Sequence, residues 1–368
     1  MKWLKWISVG SVAIGIIVVI LASIVYRLPQ FGGPIAGTRL ERVQKSPEFI
    51  GGRFENSPPQ NRDMEYFKIL GFYLEGQVRE PQFPIPVLPI AKETLDTPAS
   101  EALTATWLGH ASVLVEIGGV RFLTDPVLSD VVSPFPVGPT RLHPSPLSIS
   151  DLQKIDGVLI SHDHYDHLDM VTIQKLIEIG AQFFVPLGIG AHLERWGAKP
   201  EQIHEMDWWQ TQTLKGVEVH CTPARHYSGR KRMDNSTLWS SWFVKGGGRS
   251  FYFSGDTGYA PHFGEIKNRL GPVDLTLMKV GAYGDSVGWI DIHMDPESAV
   301  QAHLDLGAKT LLPIHWATFN LAYHAWAEPI ERTLKAAEAK NVRVLTPRIG
   351  ERYDEQQPFT NQSWYLKP

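Results

Sequence analysis

Cysteine is almost missing from this chain: Cys221 is the only one in 368 residues. No intrachain disulfide can form, and no thiolate-rich metal site exists. One cysteine does not decide the compartment. An excess of either charge is also lacking. The formal net charge is −4, so bulk electrostatics gives no ground for a nucleic-acid partner. The sequence shows no internal repeat. What remains is the composition of a folded protein, 43% hydrophobic and 20% charged. Its length allows one large domain or two ordinary ones. Twelve tryptophans and 27 prolines suggest shaped loops with apolar faces, some of which could meet lipid, although most tryptophans belong in a core.

The N terminus carries one long apolar run. Met1-Lys2-Trp3-Leu4-Lys5-Trp6 precedes twenty uncharged residues, Ile7 to Tyr26, and Arg27 closes the run. That length matches a bilayer's hydrocarbon core. A cleaved signal peptide is the rival, but Ala22-Ser23-Ile24-Val25-Tyr26 offers no good pair of small residues for cleavage. Nor does the run hold a cysteine for lipid attachment. The expectation is an uncleaved single-pass membrane anchor over 1–28. Lys2 and Lys5 against Arg27 put the N terminus in the cytoplasm and the main domain on the extracytoplasmic, periplasmic side. Pro29 to Pro59 is rich in Gly, Pro, Asn and Ser and has no sustained period. With Pro81 to Pro89, which holds four prolines, it reads as part of a linker and N-terminal extension over 29–100 that packs on the core. The main domain is then 101–368.

From Ala102 the pattern is rich in strands. Thr104–Leu108, Ser112–Ile117 and Val120–Thr124 read as strands, the last two joined by a Gly118-Gly119 turn. Asp151 can cap a short helical segment before a strand at Gly157–Ile160. Met170–Ile179 reads as an amphipathic helix ending at Gly180, followed by a strand at Gln182–Val185. Strands follow at Val217–Thr222, Trp239–Val244, Ser250–Phe253, Leu275–Val280 and Thr310–Ile314. Helices are expected at Pro296–Gly307 and Glu328–Ala339. Hairpins first, then strands mixed with helices, imply two packed sheets covered by helices.

The densest chemistry is His162-Asp163-His164-Tyr165-Asp166-His167, directly after the apolar Gly157-Val158-Leu159-Ile160. Imidazole and carboxylate at this density suit a divalent metal such as zinc. The spacing H-x-H-x-D-H is too crowded for one four-coordinate ion. His162 and His164 can serve one metal while Asp166 and His167 serve a second. Three later strand ends carry ligand-type residues: His226 after Thr222, Asp256 after Phe253, and His315 after Ile314. A lone histidine of this kind is usually structural, but the ordered set of four strand ends is more specific.

This order resembles the metallo-β-lactamase-fold hydrolases, and within them the N-acylphosphatidylethanolamine-hydrolysing phospholipases D. The matching segments include Thr106–Ser112, Phe122–Pro126, Leu159–Asp169, Phe184–Gly188, Asp207-Trp208-Trp209, Gly255–Tyr259, Gly281–Tyr283, His293–Glu297 and Ile314–Phe319, spanning about residues 100 to 340. The resemblance implies an α/β fold, the αββα sandwich of two mixed sheets flanked by helices, here with an N-terminal transmembrane helix. It implies two Zn2+ per chain, although iron or manganese would suit the same donors. His162, His164 and His226 would hold one ion; Asp166, His167 and His315 the other; Asp256 would bridge them. A bridging water, acidified by both ions, would attack phosphorus in line. The implied products are phosphatidic acid and an N-acylethanolamine. The implied partners are a phospholipid substrate and the membrane, and a homodimer is compatible with the sequence.

Asp125, in Thr-Asp-Pro, is expected to orient a ligand histidine, an Asx turn before Pro126 being the alternative. His110 is either a similar support or structural. His293 is the candidate for touching the phosphate or the leaving oxygen. Alternatively it only stabilises the helix that Asp295 caps and Pro296 begins. Tyr165 should pack near the site without a catalytic role. His143, His192, His204, His220, His262, His303 and His324 are expected to be structural or at the surface. The competing functions are a lactonase or other metal-dependent hydrolase of the same fold, acting on a soluble ester, lactone or phosphodiester, and a non-enzymatic binding protein.

Overall fold

A computed structural model describes residues 25–59, 78–284 and 289–366. Most of the apolar run Ile7–Tyr26 therefore lies outside the described residues. Among those described, no helix is long and apolar enough to cross a membrane.

Two seven-stranded mixed sheets form the centre. In chain order the strands are β1 Phe49–Ile50, β2 Arg53–Phe54, β3 Thr104–Gly109, β4 Ser112–Ile117, β5 Val120–Thr124, β6 Gly157–Leu159, β7 Gln182–Pro186 and β8 Ile203–Met206. They continue with β9 Thr211–Leu214, β10 Val217–Thr222, β11 Ser241–Gly246, β12 Arg249–Phe253, β13 Leu275–Lys279, β14 Thr310–Ile314, β15 Arg343–Val344 and β16 Arg352–Asp354. One sheet runs β16-β3-β4-β5-β6-β7-β8 and the other β15-β14-β13-β12-β11-β10-β9, while β1 and β2 form a separate hairpin. Each large sheet is antiparallel on one side and parallel on the other, the change falling at β5–β6 and at β12–β13.

Paired glycines set two hairpin turns at one end of the large sheets. Gly118 and Gly119 join β4 to β5, and Gly247 and Gly248 join β11 to β12, all four at positive φ. Paired positive φ is the twisted hairpin turn that follows the strand twist. The two turns also abut: a Cβ on Gly118 would stand 2.9 Å from the Gly247 nitrogen. They mark the end of the sandwich opposite the metal-ligand loops.

Between the sheets pack Trp107, Val113, Phe122 and Phe184 from one side and Val219, Cys221, Trp242 and Phe251 from the other. Outside the first sheet lie helices Met170–Glu178 and Gly190–Arg195, sealing a second cluster that includes Leu123, Val158, Ile173 and Leu193. Helices His262–Leu270, Pro296–Asp305 and Glu328–Ala339 cover the second sheet through Ile266, Val300 and Ile330. The result is an αββα sandwich.

Two local expectations change. Ser148, not Asp151, caps the short turn Ile149–Asp151, accepting from Ser150 N. Asp151 is the last residue of that turn. The segment before residue 60, free of visible period, contains a helix at Gly37–Lys45. Its Val43 packs with Phe54, Leu187, Leu238 and Trp239, and its Arg39 pairs with Glu205 at 2.9 Å.

Candidate metal centre

The chemistry collects where strands of both sheets end, as expected of parallel strands whose loops open at the carboxyl edge. β6 leads into the His162–His167 loop, β10 into His226, β12 into Asp256 and β14 into His315. Gly255 permits the approach of the two sheets. It sits at φ 54°, and a Cβ there would be 2.4 Å from the Ser161 Cβ.

Three ring nitrogens converge in a first cluster. His164 Nδ1 lies 2.8 Å from His162 Nε2 and 3.3 Å from His226 Nε2. Tetrahedral zinc with Zn–N near 2 Å separates its ligand nitrogens by about 3.3 Å. In a second cluster His167 Nε2 stands 3.3 Å from Asp166 Oδ2 and 3.2 Å from His315 Nε2. Asp256 lies between them. Its Oδ2 is 3.3 Å from His167 Nε2 and 3.8 Å from His226 Nε2, and its Oδ1 is 3.0 Å from His315 Nε2.

The far side of each ring sets which nitrogen carries a proton. The Ser161 hydroxyl donates to Asp125 Oδ2 and so accepts from His162 Nδ1 at 2.9 Å. The Ile292 carbonyl can only accept from His226 Nδ1, at 3.2 Å. Both rings therefore turn lone pairs on Nε2 towards His164. Burial, with repulsion from neighbouring histidines, holds His162 well below its ordinary pKa, and burial does the same to His226. The two lone pairs call for a cation, or a proton on His164 Nδ1, between them. Asp256 Oδ1 is buried and makes no hydrogen bond. Donors limited to imidazole and carboxylate fit zinc, iron or manganese, so the residues present suit a divalent ion in each cluster.

Asp125 is fully buried and serves both clusters. It accepts from His167 Nδ1 at 2.6 Å and from Ser161 N at 2.7 Å, and it reaches His162 through the Ser161 hydroxyl. Burial opposes charge on His167, but Asp256 and Asp166 outweigh it and raise its pKa well above normal. Without a cation, the His167 proton balances these carboxylates. His110 sits behind Asp166, with Nε2 3.0 Å from Asp166 Oδ2. Burial and the neighbouring histidines push it down to about 3, so it is neutral. His293 Nδ1 lies 3.6 Å from Asp256 Oδ2, buried and without a hydrogen bond. Asp295 and Pro296 also start the following helix as expected. Tyr165 donates its hydroxyl to Arg230 O at 2.9 Å, away from the ligands.

Several supporting residues escape sequence reasoning. Asn56 brackets the His226 peptide, donating to His226 O at 2.7 Å and accepting from His226 N at 3.1 Å. It comes from the segment read as linker, and no local pattern marks it. Lys279 ends β13 fully buried, its ammonium donating to Gly281 O. A lysine closing an apolar strand is a signal that could have been flagged. Burial brings it down to about 8. Tyr227 packs its ring 4.5 Å from His164 and 4.6 Å from His226. By contrast, Asp207-Trp208-Trp209 forms the corner where the chain crosses between sheets. Trp208 Nε1 donates to Trp239 O at 2.8 Å and Arg269 covers Trp209 at 3.9 Å.

Residues 120–316 match the family model described as a beta-lactamase superfamily domain. An uncharacterized protein of Mycobacterium tuberculosis is 44% identical over 88% of each chain. The N-acyl-phosphatidylethanolamine-hydrolyzing phospholipase D 1 of Caenorhabditis elegans is 36% identical over 72% of this chain and 79% of its own. Among solved structures, Igni18, a metallo hydrolase of Ignicoccus hospitalis, aligns with a TM-score of 0.54 at 24% identity. It covers 70% of this chain and all of its own, 100%, and shows the same fold. The chain belongs to the beta-lactamase superfamily and is a metal-dependent hydrolase.

Proposed function

We propose that this protein is a dinuclear zinc phosphodiesterase of phospholipase D type. Its substrate would be N-acylphosphatidylethanolamine or a related phospholipid, split into phosphatidic acid and an N-acylethanolamine. The observation that carries the two-metal reading is Asp256, whose carboxylate stands within ligand-sharing distance of both donor clusters. The substrate class is supported by the phospholipase D relative.

His162, His164 and His226 would hold one ion, Asp166, His167 and His315 the other, with Asp256 shared. When bound, the ions supply Lewis acidity towards a phosphoryl oxygen and make water a stronger acid. The chain's own contribution is preorganisation. Asp125 and Ser161 hold the His162 and His167 rings in register. His110 steadies Asp166. His293, neutral because burial and Lys279 disfavour its charge, offers a ring nitrogen beside Asp256 to hydrogen-bond a phosphoryl or leaving-group oxygen. Buried Lys279 adds positive potential near Asp256 and Asp166.

Zinc-loaded protein should release N-acylethanolamine from N-acylphosphatidylethanolamine vesicles, and His162→Ala and Asp256→Ala should lose that release. Hydrolysis of a lactone or a soluble phosphodiester without any N-acylethanolamine release would transfer the site to the other hydrolase reading.

A further inference from the structure

Around the first described residues lies a surface that the metal centre does not use. Tyr26 ends the apolar run Ile7–Tyr26, and its ring meets Phe31 at 5.7 Å. Phe31 meets Phe135 at 6.1 Å and Tyr165, of the metal-ligand loop, at 6.5 Å. Phe135 belongs to Ser133-Pro134-Phe135-Pro136-Val137-Gly138, an uncharged loop tip. Phe135 is 43% exposed, Val137 71% and Tyr26 43%. At the base of this tip Val132 N donates to Pro139 O at 3.1 Å.

A second tip, Lys231-Arg232-Met233, lies near Phe31. Arg230 anchors it: its guanidinium lies 4.1 Å over the Tyr165 ring and donates to Gln30 O at 2.9 Å. Phe31 and Lys231 line one cavity of about 300 Å³. Met233 is 78% exposed, and Lys231 and Arg232 are exposed and form no ion pair among the described residues. Arg27 and Arg195 lie on the same rim, with Arg195 donating to Arg27 O at 2.5 Å. The nearby Asp234 carboxylate accepts from Ser236 N at 3.1 Å. Exposed apolar tips beside cations that form no ion pair among the described residues are the pattern of a surface that enters the headgroup region of an anionic bilayer.

We infer that the Phe135–Val137 and Lys231–Met233 tips dock this domain on an anionic phospholipid surface, near Tyr26. The occupant is lipid rather than protein because the Phe135 tip joins Tyr26, the end of the apolar run, through Phe31, and because the neighbouring cations complement anionic headgroups. The geometry also serves the site. Val127, Val132 and Phe319 form one apolar cluster with Tyr165 and Leu321, and the Phe319 ring stands 5.3 Å from His110. Docking would therefore set the metal centre's apolar rim towards the lipid. This inference rests on the phospholipid reading only for its purpose, and its test is separate.

The test uses the full chain in vesicles of phosphatidylcholine alone or mixed with phosphatidylglycerol. Fluorophores are attached at Val137→Cys, at Met233→Cys and, as a control, at Leu304→Cys on an outer helix of the other layer; Cys221 is buried. Spin-labelled lipids should quench the first two probes several-fold more than the third, most strongly with phosphatidylglycerol. The control also guards against tethering by the apolar run, which would hold all three sites near the vesicle. Lys231→Glu with Arg232→Glu should lower turnover of vesicle-borne substrate roughly tenfold and leave detergent-dispersed substrate unaffected. Equal quenching at all three sites would overturn the inference. No turnover of dispersed substrate by the unmodified protein would sink the phospholipid reading while leaving the quenching result to judge the docking surface.

Discussion

Asp125 shows how one buried carboxylate can govern two clusters. Through His167 directly and His162 by way of Ser161, it aims a ring at each. Asp125→Asn keeps the size and an oxygen for Ser161 N, but loses the charge that holds the His167 Nδ1 proton. Metal affinity should fall about 10- to 100-fold with the fold intact, as read by chelator competition. A second prediction follows from His167. Its raised pKa means that the metal-free protein carries a proton there near neutral pH. Zinc uptake should release it, and calorimetry in buffers of different ionisation enthalpy should register about one proton lost per chain from this site. The seven proposed ligands were legible as residue types at strand ends. Ser161 and Asn56 were not, because a hydroxyl or amide acquires its role only when tertiary contacts deliver a ring or a peptide to it.

At the scale of elements, the strand ends are held by packing as well as by hydrogen bonds. His315 and Ala317 both sit at positive φ, a costly conformation outside glycine. Between them Trp316 stacks on Trp107 at 5.5 Å and on Trp364 at 5.3 Å. Trp316→Ala should cost about 3–5 kcal/mol of stability and displace His315, seen as a lower urea midpoint with weaker metal binding. On helix Pro296–Asp305, His303 is buried against the Thr276 hydroxyl at 2.7 Å, and burial lowers its pKa to about 4. The unfolded chain binds this proton below about pH 6.5, while the folded chain resists it until about pH 4. Stability is therefore present above the unfolded value and lost as pH falls through that window. His303→Met should flatten that loss by about 1–3 kcal/mol in urea melts compared at pH 7 and pH 4.5. Helices with two turns of apolar period and strands with β-branched runs were readable. Thr211–Leu214 was not, since its side chains are mostly exposed and only pairing with β10 makes it a strand. Gly37–Lys45 likewise buries Val43 alone and depends on the body it packs against.

Over the whole molecule, two sheets fold chemistry to one edge and leave tight glycine turns at the other. Hairpin patterns, apolar runs and ordered ligands made that architecture readable. Asp207-Trp208-Trp209 helped to mark the family, yet it forms the inter-sheet corner, so it says little about substrate. Removing metal should loosen the whole, because binding to the folded state alone adds stability by mass action. Chelator should lower the melting temperature, and zinc should restore it. The most direct test of the dinuclear account is anomalous diffraction at the zinc edge from zinc-loaded crystals. Two peaks are predicted, one among His162, His164 and His226, the other among Asp166, His167 and His315, with Asp256 touching both. A single peak, or peaks away from these residues, would contradict it.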